Sequence, residues 1–249
     1  MRDDGKTKRV ALAVGAGDAI GAAFARRFAK AGYAVAVARR DAQKSDQLIQ
    51  EITAAGGTAA AYSMDARSEA QTVDMFDRVE RDLGPIDTCL YNAGANSAFP
   101  ILETKADMFR KVWELACFGG FLTAREAARR MVPRGNGTLL FTGATASVRG
   151  GAGFAAFASA KFGVRAMAQS LARELGPKGI HVAHLIIDAG VDSPVIHARR
   201  RAKFGDDAEI AEDGLVKIES VAEAFWVVSQ QSRDGWTHEL DLRPFAETW

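Results

Sequence analysis

The chain has two cysteines, three tyrosines, six prolines and almost no net charge among its 249 residues. Each scarcity excludes something. Cys89 and Cys117 lie in apolar contexts without metal-ligand spacing, so a disulfide framework and a Cys/His metal site are both excluded. We expect two reduced core thiols in a cytoplasmic protein, with no bound metal. A balance of +1 removes the electrostatic case for nucleic acid or an anionic membrane as partner. No apolar run reaches the length of a spanning helix. The opening Met1–Arg9 segment mixes both charge signs and reads as neither a signal peptide nor a spanning helix, with residues 1–8 expected to be a flexible lead-in. No stretch has the composition of a linker, so residues 9–249 read as a single domain. With 48% hydrophobic residues, a chain of this size can bury about three quarters of its unfolded surface.

Glycine, by contrast, is plentiful and well placed. Arg9–Gly15 is a short apolar run with β-branched residues, the pattern of a strand buried on both faces. It breaks into Gly15-Ala-Gly17-Asp18-Ala19-Ile20-Gly21. A helical stretch follows, with Phe24 and Phe28 on one face, and Gly32 stops it. A second apolar strand, Ala34–Ala38, closes on Arg39 and Arg40. Strand, glycine turn, helix and strand make a βαβ unit. A helix N-terminus offers unpaired amides and the positive end of the peptide dipole, which suits a diphosphate. Gly15 can take a positive φ, Gly17 gives a ligand room at the backbone, and Gly21 lets helix and strand approach. A tight turn without a ligand is the plainer alternative.

The alternation continues. The pattern predicts helices over about 42–55, from Ser68 to Gly84, over 107–130, over 154–175 and from a Ser220 cap to 230. Strands are predicted at 59–64, 87–91, 138–142, 181–187 and 237–241. Asp41 reads as a helix cap. The charged stretch 198–216 has weak periodicity, and residues 192–216 read as a mobile excursion over a substrate site. Strands alternating with such helices imply an α/β fold: one Rossmann-type, doubly wound parallel sheet of about seven strands with helices on both faces. In such sheets a ligand lies beyond the carboxyl ends of the strands. The unusual residues Gly15, Arg39, Asp65, Asn92, Thr142 and Asp188 all fall there.

Asn92-Ala93-Gly94 and Lys161 make the chain resemble the short-chain dehydrogenase/reductase family over most of residues 9–241. Gly15 and Gly21 match the family's first turn, with Ala19 where its middle glycine stands. Asp65, followed by Ala66, matches its adenine-contacting aspartate, and Tyr91 stands where another asparagine is usual. The resemblance implies a nicotinamide dinucleotide held by Gly15, Gly17, Asp18, Ile20, Gly21, Arg39, Arg40, Asp65, Ala66, Asn92, Ala93, Gly94, Thr142, Lys161, Asp188 and Val191. An acidic residue closing the second strand suits a ribose 2′-hydroxyl, whereas arginine pairs with a 2′-phosphate. Arg39 and Arg40 therefore favour NADP(H), with NAD(H) as the other option. Solvated arginines at a strand end remain the alternative.

The catalytic half departs from the family. The tyrosine position, four before Lys161, holds Phe157; the serine position holds Ala144; the asparagine position holds Ala116. Lys161 keeps its role of holding the nicotinamide ribose. Thr145 is the first candidate for a substitute donor, with Thr142, Asp188 and His184 as further candidates. Arg149 either grips an anionic substrate group or is solvated. Phe99, Phe154, Phe157 and Val191 suggest a small, largely apolar carbonyl or alcohol substrate. Two functions stay open: an oxidoreductase with a non-standard proton source, or a catalytically degenerate NADP(H)-binding sensor or interaction subunit. The family, the mixed faces of 121–128 and 162–168 and the aromatic tail imply a homodimer or homotetramer.

Overall fold

The computed structural model describes residues 9–205 and 210–247; the expected flexible lead-in 1–8 lies outside them. Seven strands, β1 (Val10–Val14), β2 (Ala34–Arg39), β3 (Thr58–Ser63), β4 (Ile86–Tyr91), β5 (Gly137–Thr142), β6 (Ile180–Ile187) and β7 (Glu239–Leu242), form one sheet in the order 3-2-1-4-5-6-7. Every pairing is parallel. The order in which strands are added reverses between β1 and β4, which is the switch point where ligands lie in such folds.

Each strand alternates its side chains between two cores. On one face Val10, Leu12, Tyr91 and Phe141 meet residues such as Phe76, Met131 and Val164. These come from α3 (Glu69–Leu83), α5 (Gly119–Met131) and α6 (Ala155–Leu175). On the other, Ala11, Ala13, Val35 and Leu185 meet Phe24, Phe28, Ile52 and Phe225. Those belong to α1 (Ile20–Lys30), α2 (Asp46–Ala54) and α8 (Ile218–Ser229). Burial on both faces explains the near-continuous apolar reading of β1, β2 and β6.

Several local expectations are met and several corrected. Ser68 caps α3 by accepting the Gln71 amide. Asp41 caps nothing with its side chain; residues 42–45 form a 3₁₀ turn before α2, and Asp41 lies 4.0 Å from Lys44. The helix expected at 107–130 holds a wide π turn at Glu114–Phe118, between α4 (Ala106–Trp113) and α5. Much of the expected excursion is instead a helix, α7 (Pro194–Phe204): Ser193 caps it, and Pro194 sits where a missing N–H costs nothing. After it, Val216 forms an isolated parallel bridge with Val191 just before α8. α8 starts at Ile218, before Ser220, and β7 starts two residues later than expected.

Candidate functional site

A continuous crevice runs beyond the carboxyl ends of the strands. Its β2 side, of about 530 Å³, is lined by Gly15, Gly17, Arg39, Arg40, Asp65 and Asn92, with Ala66, Ala93 and Gly94 beside them. Its α6 side, of about 570 Å³, is lined by Asp18, Ile20, Thr142, Ala144, Phe157 and Lys161, with Val191 on the far wall.

The glycine turn has the shape that the sequence suggested. Gly15 has φ +78°, and a Cβ there would stand 2.4 Å from the Ala93 amide nitrogen. At Gly21 a Cβ would stand 2.5 Å from Ala16 Cα, so this glycine serves the close approach of helix and turn. Gly17 differs: a Cβ there would meet nothing within 4 Å. No side chain caps the first turn of α1; the Ala22 amide donates to the Gly17 carbonyl at 3.1 Å, which leaves those of Ile20 and Gly21 for a ligand. That combination fits a diphosphate.

From this turn a chain of hydrogen bonds crosses the sheet. Asn92 Nδ2 donates to the Gly15 carbonyl at 3.0 Å, while Thr142 Oγ1 donates to Asn92 Oδ1 at 2.9 Å. Lys161 Nζ then donates to the Thr142 carbonyl at 2.6 Å. Four residues distant in sequence thereby fix the ends of β1, β4 and β5 against α6. Lys161 is 5% exposed, and Nζ stands 5.8 Å from the centre of the Phe157 ring. Phe157 both walls the crevice and packs with Val112, Ala146, Ala156 and Ala158.

Burial lowers the Lys161 amine to about 8 from its ordinary 10.5. The unfolded chain keeps this proton up to about pH 10.5, whereas the folded chain releases it near 8. Stability therefore rises with pH between those values. Lys161→Met loses the bond to the Thr142 carbonyl at every pH but escapes the cost of the buried charge, so its stability relative to wild type is expected to be about 2 kcal/mol more favourable at pH 7 than at pH 10. Urea unfolding of both proteins at the two pH values measures it; an equal difference at both sinks the prediction.

Of the expected donors Thr142 lines the crevice, its hydroxyl given to Asn92, and the others face elsewhere. Thr145 Oγ1 donates to Asp188, and neither residue lines the crevice. The 3₁₀ turn Thr145–Ser147 carries the hydroxyl away from the crevice, while Asp188 is 1% exposed and held by Arg243 at 2.9 Å. Arg149 stays half exposed to solvent, 3.5 Å from Asp188 and 3.9 Å from Glu247, and does not line the crevice. His184 is fully buried, and burial pushes its imidazole down to about 4. With Nδ1 donating to Glu239 at 3.2 Å, Nε2 accepts the Ser147 hydroxyl at 3.3 Å. This neutral imidazole braces the sheet behind the crevice. Phe99 and Phe154 do not line it either; Phe154 packs against the Phe157 cluster. Each tyrosine hydroxyl is engaged elsewhere: Tyr33 donates to Asp87, Tyr62 to Asp82 and Tyr91 to the Leu115 carbonyl.

Other residues join the site without having been anticipated. Both carboxylate oxygens of Asp65 are engaged by the Arg67 guanidinium, which holds the carboxyl below its usual range. Lys44 reaches the β2 side, placed there by the 3₁₀ turn, and Asn96 and Arg199 reach the α6 side. A spacing of four from Arg40 to Lys44 was the only signal, and it needs the turn type to be known. Among the described residues there is no group of three or more His, Cys, Asp or Glu able to hold a metal, and no helix is long and apolar enough to cross a membrane.

Comparison with known proteins agrees with this geometry. Residues 9–203 match the short chain dehydrogenase family. A short-chain dehydrogenase crystal structure from Rhodopseudomonas palustris is 47% identical, with a TM-score of 0.80, covering 95% of this chain and 99% of that one. The 1-deoxy-11-beta-hydroxypentalenate dehydrogenase of Streptomyces exfoliatus is 30% identical over 246 residues, 92% of this chain and 89% of that protein. An alcohol dehydrogenase from the archaeon Thermococcus sibiricus, complexed with 5-hydroxy-NADP, shares the fold at 24% identity, with a TM-score of 0.83 and 97% and 98% coverage.

Proposed function

We propose a function from one premise: the chain belongs to the short-chain dehydrogenase family. It is an NAD(P)(H)-dependent oxidoreductase acting on a small, largely apolar carbonyl or alcohol, with NADP(H) preferred. The observation that carries this reading is the hydrogen-bonded chain from Gly15 through Asn92 and Thr142 to Lys161, laid along a crevice that starts at an uncapped helix.

In this reading the first-turn amides of α1 and the open side of Gly17 receive the diphosphate. Arg39, Arg40 and Lys44 face the adenosine ribose, and Lys161 holds the other ribose. A bound nicotinamide supplies the hydride. Phe157, Ala144 and Ala116 occupy the positions of the family's tyrosine, serine and asparagine, so no side chain there bears a transferable proton. The proton comes from water admitted beside Lys161. Such a site works slowly, because a positioned general acid is worth about 10²–10⁴ in rate.

The same hydrocarbon wall supports a second reading, a degenerate NADP(H)-binding sensor or interaction subunit. Exposed Phe121 and Phe162 on α5 and α6 support a homodimer or homotetramer in either case. We place the protein in the cytoplasm.

Titration of NADPH fluorescence is expected to saturate at micromolar concentration or below; absence of saturation would reject both readings. Lys161→Ala is expected to weaken NADPH binding about tenfold to hundredfold, by loss of charge-assisted hydrogen bonds to the ribose. A panel of carbonyl substrates separates the readings: slow NADPH oxidation that drops in Lys161→Ala supports the enzyme, and tight binding without turnover supports the sensor.

A further inference from the structure

Asp18 is an odd residue for a turn that receives phosphates. A carboxylate there repels the diphosphate, and its side chain is 82% exposed rather than held by the fold. What neutralises it is Arg39, whose Nη1 lies 2.6 Å from Asp18 Oδ1. The arginine side chain is only 20% exposed and also donates to the Lys44 carbonyl at 3.4 Å. The pair thus bridges the glycine turn and the end of β2. It borders the β2 side of the crevice and a smaller cavity of about 290 Å³, lined also by Arg26, Lys44 and Gln47. The neighbouring charges are otherwise engaged or offset: Arg26 is bound by both oxygens of Glu51, and Lys44 lies 4.0 Å from Asp41.

We propose that Asp18 narrows the cofactor preference by competing, within the protein, for the Arg39 guanidinium that a ribose 2′-phosphate would take. The inference rests on the nicotinamide-cofactor function proposed above. A 2′-phosphate must displace the Asp18 carboxylate before Arg39 can grip it in the two-pronged geometry that suits guanidinium and phosphate. A cofactor with a free 2′-hydroxyl leaves the Asp18–Arg39 pair intact. Discrimination between the two cofactors is therefore smaller than the three cations at this end imply. The pair is exposed enough to be weak, so displacement is accessible and lowers selectivity without abolishing it.

The test is a double-mutant cycle read by binding. Dissociation constants of NADPH and NADH are measured by cofactor fluorescence, at one fixed ionic strength, for wild type, Asp18→Asn, Arg39→Ala and the double variant. Asp18→Asn keeps the size of an exposed side chain, and a thermal melt verifies the fold. The NADH-to-NADPH ratio of dissociation constants is expected to rise about threefold or more in Asp18→Asn, in line with an exposed ion pair's strength. In the Arg39→Ala background the same substitution is expected to leave the ratio within twofold. Equal tightening of both cofactors, a ratio rising less than threefold, or a rise that persists without Arg39 would each overturn the proposal. Failure of wild type to bind either cofactor would overturn the functional reading and this inference together.

Discussion

The double substitution Phe157→Tyr with Ala144→Ser is expected to raise NADPH-dependent carbonyl reduction about 10²-fold or more. The reasoning is geometric. Phe157 already stands in the crevice wall on α6, with Lys161 Nζ 5.8 Å from its ring centre. Tyrosine adds one oxygen to that ring without altering the backbone. The nearby ammonium favours the ionised phenol and so lowers its pKa toward the working range. Ala144 lies in extended backbone on the facing wall, where a hydroxyl adds little volume. A general acid is worth about 10²–10⁴ in rate, and the added polar pair supplies one where only hydrocarbon now stands. Overpacking against Val112, Ala146 and Ala156 is the opposing effect, expected to cost about 1–3 kcal/mol of stability. Steady-state NADPH oxidation against the carbonyl panel, with cofactor titration as control, decides the matter. Unchanged turnover in a variant that still binds NADPH would show that Phe157 does not occupy the acid's place.

Gly17→Val is expected to abolish dinucleotide binding, by a factor of 100 or more, while leaving thermal stability nearly unchanged. Gly17 has no neighbour within 4 Å of a notional Cβ, and its φ is not in the left-handed region, so the fold has no objection to a side chain. The ligand does: a branched side chain would fill the approach to the open amides of α1. Gly15 is the instructive contrast. There even alanine would collide with the Ala93 backbone and require an unfavourable φ of +78°, so Gly15→Ala is expected to damage the fold itself. NADPH titration and a thermal melt of Gly17→Val measure the two properties separately. Retention of binding within tenfold of wild type would place the diphosphate elsewhere.

The scaffold was legible because buried parallel strands write long apolar runs and glycine turns punctuate them. Gly15, Asn92 and Thr142 were identified from position alone, and they prove to be joined by hydrogen bonds. What stayed hidden depends on local rotation rather than on position. Thr145 lies next to the crevice-lining Ala144, yet a 3₁₀ turn carries its hydroxyl to Asp188. The helix α7 was masked by charges with weak periodicity, although Ser193-Pro194 carried its start signal. Lys44 and Asp18 matter through partners across the chain, Arg39 above all, and no periodicity encodes such pairings. The π turn at Glu114–Phe118 lies inside a continuous helical pattern and leaves no mark on it.

The reversal of strand order beside β1 also governs how the molecule assembles. In a nascent chain that has emerged only through β3, β2 can pair with β1, but the other edge of β1 has no partner until Ile86–Tyr91 leaves the ribosome. Val10 then pairs with Ile86, a contact between residues far apart in sequence, which slows folding. The floor of the crevice, shared by Asn92 and Thr142, forms later still. A dinucleotide is thus expected to hold the finished protein together by mass action while doing nothing to hasten its first pairings.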